Sequence, residues 1–273
     1  METKLPNYEQ LEITEIMNNV FVGEMKINGR KSFNLNFIED LTDFFMFVFS
    51  QKNNNNENRF FVFKGEENTG IFNMGGDLTL FLRLVDKKDI QELQSYGRKC
   101  IDLIYKSLKA KDSNMTTVAL INGDARGGGF ESCLACDIII AEKGYSIQLP
   151  EIKLGFFPGM GAFQLLSKKI GPQKTKEIIL SGKSYSTEEL FNLGVFDFLV
   201  EKGQSQHKLI KIVKQERSSQ VTFNSVRKIY DSLTHVTYDE LIVTVDYWVD
   251  SILDLKDINK KMIKRVISKQ DNQ

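Results

Sequence analysis

Thr116-Thr117-Val118-Ala119-Leu120-Ile121 runs directly into Asn122-Gly123-Asp124-Ala125-Arg126-Gly127-Gly128-Gly129-Phe130-Glu131. The first six residues carry no charge and no alternation, the pattern of a short strand covered on both faces, as in a unit where a strand passes into a helix. Glycines permit positive φ and let backbone approach a ligand closely. A helix is expected to open near Phe130, where free N–H groups and the helix dipole favour negative charge. Upstream, Phe60 to Phe63 is a second apolar strand, and the glycine-rich turn region Gly70 to Asp77 (GIFNMGGD) follows it. Downstream, Asp137 to Ala141 (DIIIA) reads as a strand, and Ser146 to Leu149 as a short extended piece ending at Pro150.

The remaining chain supplies more strands and helices. Val20 to Ile27 alternates as a strand does, and Ile38, Leu41, Phe44, Phe45 and Val48 place a helix over 35–50. Residues 1–18 read as an irregular lead-in, and Lys52 to Asn58, with its run of asparagines, as a polar loop. Leu78 to Leu108 is expected to hold one or two helices. Gly159 to Ile170, Lys174 to Leu180 and Thr187 to Leu193 follow as helices, and Phe196 to Val200 as a strand. Beyond Lys202 only helical periodicity is found, for example Leu241, Val245, Trp248, Ile252 and Leu255. The chain therefore divides into an α/β body, 1–202, and a helical C-terminal region, 203–273, with no internal repeat. The alternation indicates the α/β class and leaves open a Rossmann-like sheet or a coiled ββα spiral.

Composition narrows the function. The 273 residues carry 36 basic and 36 acidic side chains, so no net field draws the chain to nucleic acid or an anionic membrane, and neither is expected as a partner. Phe44 to Phe49 is too short to span a bilayer. Met1 to Gln10 is charged and lacks the apolar segment of a signal peptide, so a soluble, cytoplasmic protein is expected. Three cysteines are too few for a disulfide framework. The 20 phenylalanines suit either an aromatic core or an apolar ligand.

Several motifs fail on inspection. Gly182-Lys183-Ser184 would end a phosphate-binding loop, but position 177 is Glu where that motif needs Gly. Gly127-x-Gly129-x-x-Ser132 lacks the third glycine of a dinucleotide fingerprint. Cys133 and Cys136 have only two distant histidines to complete a metal set, so they read as packing residues and no metal site is expected. No G-x-S-x-G occurs to support a serine hydrolase.

What survives is two glycine turns, Gly75-Gly76 and Gly127-Gly128-Gly129, and two carboxylates, Glu131 and Glu151, in the apolar settings GGGFES and QLPEIKLGFF. Backbone N–H groups converging from two such turns can hold an oxyanion. Apolar burial raises a carboxyl pKa toward neutrality, where it can donate or accept a proton. The plainer alternative makes the glycines turns and Glu131 a first-turn residue favoured by the helix dipole.

The segment from Asn122-Gly123 through Gly127-Gly128-Gly129-Phe130-Glu131 to Cys136-Asp137-Ile138-Ile139-Ile140-Ala141 resembles the core signature of the crotonase (enoyl-CoA hydratase/isomerase) superfamily. The register continues through Leu149-Pro150-Glu151, Phe157-Pro158-Gly159-Met160-Gly161 and Ser186 to Asp197. The resemblance covers Phe60 to Val200. It implies a ββα spiral with C-terminal helices that build a homotrimer, often paired as a hexamer, and that cover the acyl pocket. It places an oxyanion hole on the amides of Gly76 and Gly128 and acid–base roles on Glu131 and Glu151, with either glutamate able to take either part. Hydratase-type members carry both glutamates, which favours hydration or dehydration chemistry here.

Asn73-Met74-Gly75-Gly76-Asp77-Leu78-Thr79-Leu80-Phe81, the Met160 loop and Tyr247-Trp248-Val249-Asp250 are similar to the diffusible signal factor synthase branch. That branch implies dehydration of a 3-hydroxyacyl chain on acyl carrier protein to a cis-2-enoyl thioester. Thioester hydrolysis then releases a cis-2-unsaturated fatty acid, a quorum-sensing signal. It implies no cofactor beyond the carrier or CoA thioester, and, as partners, acyl carrier protein and a sensor kinase of the signalling system. Gly75, Asp77, Leu149, Met160 and Trp248 are the expected substrate-binding residues. The rivals are an enoyl-CoA hydratase of fatty-acid metabolism and a catalytically inactive module docking on a signalling protein.

Overall fold

The computed structural model describes residues 4–26, 31–51 and 57–270. Strands β1 (Leu11–Met17) and β2 (Val20–Met25) form an antiparallel hairpin. From β2 the sheet runs in parallel through β3 (Arg59–Lys64), β5 (Met115–Ile121), β7 (Ile138–Glu142) and β10 (Phe198–Val200). A second sheet holds four strands of three residues each, β4 (Ile71–Asn73), β6 (Asp124–Arg126), β8 (Ser146–Gln148) and β9 (Ser184–Ser186), in that order.

The apolar runs at 60–63 and 116–121 are explained by cover on both faces of the large sheet. Val20, Val22, Phe60, Val62, Val118, Leu120 and Ile140 point to one side and meet Leu209, Ile212 and Val213. Phe21, Phe61, Phe63, Ala119 and Ile121 point to the other, into the main core. That core receives helix α1 (Leu35–Ser50), with Phe44 and Phe45 against Phe61 at ring-centroid distances of 4.8 and 5.3 Å.

The helices between the strands are α2 (Leu78–Lys87), α3 (Ile90–Lys109), α4 (Gly128–Leu134), α5 (Glu151–Leu154), α6 (Ala162–Ile170), α7 (Pro172–Ser181) and α8 (Thr187–Asn192). The C-terminal helices are α9 (Ser205–Ser218), α10 (Gln220–Thr234), α11 (Tyr238–Leu253) and α12 (Asp257–Gln270). Helix α9 lies on β5 and β7, α11 packs on α3, and α12 packs on α2 and α5.

Several expectations need correction. The lead-in contains β1, where Leu11 and Ile13 turn inward and Glu12, Thr14 and Glu15 outward. Such charge-bearing alternation is the pattern of an edge strand, which is not covered on both sides by neighbouring strands. The strand expected over Val20 to Ile27 ends at Met25, and Ile27 lies outside the described residues, as do 52–56 of the expected polar loop. Residues 78–108 divide into two helices because Lys88 takes a left-handed conformation (φ 54°) and Asp89 caps α3. The helix expected from Gly159 begins at Ala162, since Gly161 adopts φ 92° as its cap. The strands β6 and β9 and the single-turn helix α5 are too short for periodicity to reveal.

Candidate active site

Three strands of the small sheet each deliver one part of the site. In register, Asn73 lies beside Ala125 and Ala125 beside Ile147. The chain then leaves β4 into Met74-Gly75-Gly76, β6 into Gly127-Gly128, and β8 into Leu149-Pro150-Glu151.

The first turn is fixed by Asn73, which is fully buried. Its Oδ1 accepts from the Gly75 amide at 2.8 Å, and the Gly75 carbonyl accepts from the Phe33 amide at 2.7 Å. Gly75 holds φ 91° with its Cα face pressed on the second turn: a Cβ there would lie 2.9 Å from the Arg126 carbonyl oxygen and 3.3 Å from the Gly128 nitrogen. A Cβ on Gly128 would in turn lie 3.7 Å from the Gly76 nitrogen. Among the described residues, no hydrogen bond from the amide of Gly76 or Gly128 to protein is found. Two donors from separate turns are therefore brought together beside one cavity, the arrangement that stabilises developing negative charge on an oxygen.

Both carboxyl groups reach this cavity, and both are buried. Glu131 sits in the first turn of α4, and its Oε1 accepts from the amides of Met160 (2.8 Å) and Ala162 (3.1 Å). Burial raises its pKa from 4.5 to about 7, against those two hydrogen bonds, which favour the ionised form. Glu151 opens α5, with Oε1 against Gly127 and Oε2 without a hydrogen-bond partner. Burial, and then the negative charge of Glu131, hold it well above the usual carboxylate range. Two coupled carboxyl groups with raised affinity for protons can pass a proton to and from a bound molecule near neutral pH.

The cavity has a volume of about 340 Å³, and its walls are mostly apolar. Phe81, Tyr96 and Trp248 form an aromatic cluster, with centroid distances of 5.1 Å for Phe81–Tyr96 and Phe81–Trp248 and 6.1 Å for the stacked Tyr96–Trp248 pair. The Tyr96 hydroxyl is tied to the Phe33 carbonyl at 2.7 Å. Met160, Leu78, Leu154 and Phe156 complete the walls, and Arg126, Gln148, Lys153 and Gln270 are the polar side chains beside them.

Of the residues expected from sequence, Gly75, Gly76, Gly128, Glu131, Glu151, Met160 and Trp248 line this cavity. Asp77 and Leu149 do not. Asp77 is the N-cap of α2, its Oδ1 accepting from the amides of Thr79 and Leu80 at 3.1 and 3.0 Å. Leu149 turns into the main core. Residues missed include Phe81 and Tyr96 on α2 and α3, and Val266 and Gln270 on α12. Helical periodicity marks such positions as an inner face without separating core from cavity. Cys133 and Cys136 are buried packing residues, and among the described residues no group of three metal-ligating side chains occurs. No helix among them is long and apolar enough to cross a membrane.

This α/β architecture, with glycine turns and paired carboxyls at the ends of the small sheet, has known relatives. Residues 17–252 match the enoyl-CoA hydratase/isomerase family, and the chain belongs to it. It is 32% identical over 159 residues to the fatty acid oxidation complex subunit alpha of Pseudomonas syringae pv. tomato, a match covering 58% of this chain and 21% of that protein. The chain thus spans about a fifth of the curated relatives it matches. Its fold is similar to that of an enoyl-CoA hydratase from Bacillus halodurans (TM-score 0.78, 22% identity, 94% of this chain and 100% of the other). It is also similar to Pseudomonas aeruginosa DspI (TM-score 0.70, 19% identity, 100% of both chains). A third likeness is to the ECH2 decarboxylase domain of CurF from Lyngbya majuscula (TM-score 0.71, 18% identity, 94% and 99%).

Proposed function

We propose that this protein is a diffusible signal factor synthase. It dehydrates a 3-hydroxyacyl chain carried on acyl carrier protein to the cis-2-enoyl thioester, then hydrolyses the thioester to release a cis-2-unsaturated fatty acid. The observation that carries this is the meeting of two buried carboxyl groups, Glu131 and Glu151, with the amides of Gly76 and Gly128 in one apolar cavity. The thioester oxygen accepts from those amides, which acidifies the Cα proton. One glutamate removes that proton, and the other, protonated, donates to the departing C3 hydroxyl, so that water leaves. A glutamate then activates a water for attack on the thioester carbon, and the same two amides hold the second oxyanion as the carrier thiol departs. The aromatic and aliphatic walls accommodate the acyl chain.

The narrower branch is supported by Asn73, whose Oδ1 shapes the Gly75-Gly76 turn in the motif shared with those synthases. Incubation with 3-hydroxydodecanoyl-acyl carrier protein, with products followed by mass spectrometry, tests it. Free cis-2-dodecenoic acid, absent with Glu131→Ala or Glu151→Ala, is expected. An enoyl chain that stays on its carrier would replace this proposal with a hydratase/dehydratase of CoA or carrier thioesters. Absence of turnover on either carrier would point to a module that docks on a signalling protein.

A further inference from the structure

The loop between α5 and α6 contains three glycines, and each is a seat for a C-terminal helix. A Cβ on Gly155 (φ 95°) would lie 2.5 Å from Nδ2 of Asn259 in α12. On Gly159 it would lie 2.5 Å from the indole of Trp248, and on Gly161 (φ 92°) 2.6 Å from Cδ2 of Leu241, both in α11. Side chains of α11 and α12 thus occupy the space where ordinary residues of the loop would carry their own. Gly161 stands between Met160 and Ala162, the two residues whose amides hold Oε1 of Glu131. Leu241 is fully buried and Asn259 half-buried, and neither lines the cavity. Asn259 is itself anchored, its Oδ1 accepting from the Lys256 amide at 3.1 Å.

We propose that Leu241 and Asn259 are positioning residues: seated on Gly161 and Gly155, they hold the 155–161 loop where the amides of Met160 and Ala162 both bond Glu131. Two side chains of the C-terminal helices thereby govern a carboxyl from outside its cavity. The catalytic consequence rests on Glu131 moving a proton, as proposed above. The titratable groups that face Glu131 are Glu151 from α5 and Cys100 from α3, and neither is altered by changing Leu241 or Asn259.

The test is the titration of Glu131 itself, followed by carboxyl carbon NMR on glutamate-labelled protein and assigned by the signal lost in Glu131→Gln. In Leu241→Ala and Asn259→Ala the amides retreat, the ionised form loses support, and the titration midpoint rises by about one pH unit, the size of one charge-assisted hydrogen bond. Leu241→Met, which refills the seat, keeps the wild-type midpoint. In the dehydration assay, the limb of the pH–rate profile that belongs to Glu131 moves up by the same amount, with KM unchanged. Should Leu241→Ala fail to fold, Leu241→Val and Asn259→Ala carry the same expectation. A midpoint that stays at the wild-type value in folded variants overturns the positioning role. A midpoint that rises while the pH–rate profile stays fixed upholds the positioning role and removes Glu131 from the proposed proton transfers.

Discussion

Oε1 of Glu151 rests directly against Gly127, in the space a side chain would need, and Gly127 is held at φ 46° as the cap of α4. The carboxyl therefore owes its place to the absence of a Cβ one residue before Gly128. Gly127→Ala is expected to push Glu151 out of the cavity and strain the cap. Dehydration should fall by ~10²–10⁴, the range of a lost general acid or base, while far-UV circular dichroism shows the fold retained. A variant with near-normal rate would mean that Glu151 does not act from this position.

The two buried carboxyls make stability depend on pH. The folded-state pKa of Glu131, about 7, lies above its ordinary 4.5, so folding favours the protonated form. That contribution is complete below pH 4.5 and is lost as pH rises through 7. Glu151 is shifted in the same direction. Glu131→Gln stays neutral and keeps an acceptor for the loop amides. It should match wild-type stability near pH 4.5 and exceed it above pH 7, by an amount on the order of 3 kcal/mol at most. Urea unfolding at pH 5 and pH 8 measures the difference. A variant less stable than wild type at pH 8 would contradict it.

Asp77 caps a helix and does not line the cavity. Asp77→Ala should cost about 1 kcal/mol of stability, read from denaturant midpoints, with the dehydration KM changed less than twofold. Asp77→Asn should restore the stability, since its side-chain oxygen can accept from the same amides. A large rise in KM with stability intact would return Asp77 to the substrate site.

Helix α10 has no buried residue, and Val221, Val226, Ile229 and Leu233 stand exposed along it. Such a face suits the homotrimer implied by the family resemblance. Light scattering behind size-exclusion chromatography is expected to give three or six chains per particle, and Ile229→Asp with Leu233→Asp to give a smaller one. A wild-type monomer would refute the trimer.

How far the sequence was legible depended on the length of each signal. Strands β3 and β5 are apolar on both faces, and α1 repeats its inner residues over four turns, so both patterns stand out. The glycine turns and the two glutamates were visible because each residue type is unusual in its setting. Strands β6 and β9 were not, since three residues carry no period. Nor could the sequence separate Asp77, a cap, from its neighbour Gly76, which lines the cavity. Tyr96 and Phe81 were hidden for a different reason: an aromatic on the inner face of a helix has the same period whether it meets protein or a ligand.

The small sheet also has a kinetic consequence. Its four strands come from residues 71–73, 124–126, 146–148 and 184–186, so each pairing closes a long stretch of chain for very few hydrogen bonds. Contacts of such wide sequence separation form slowly, because the entropy of loop closure precedes any reward. The glycine turns and Glu151 hang from those strands. Catalytic competence should therefore be among the last properties a refolding chain acquires, after helix content has recovered.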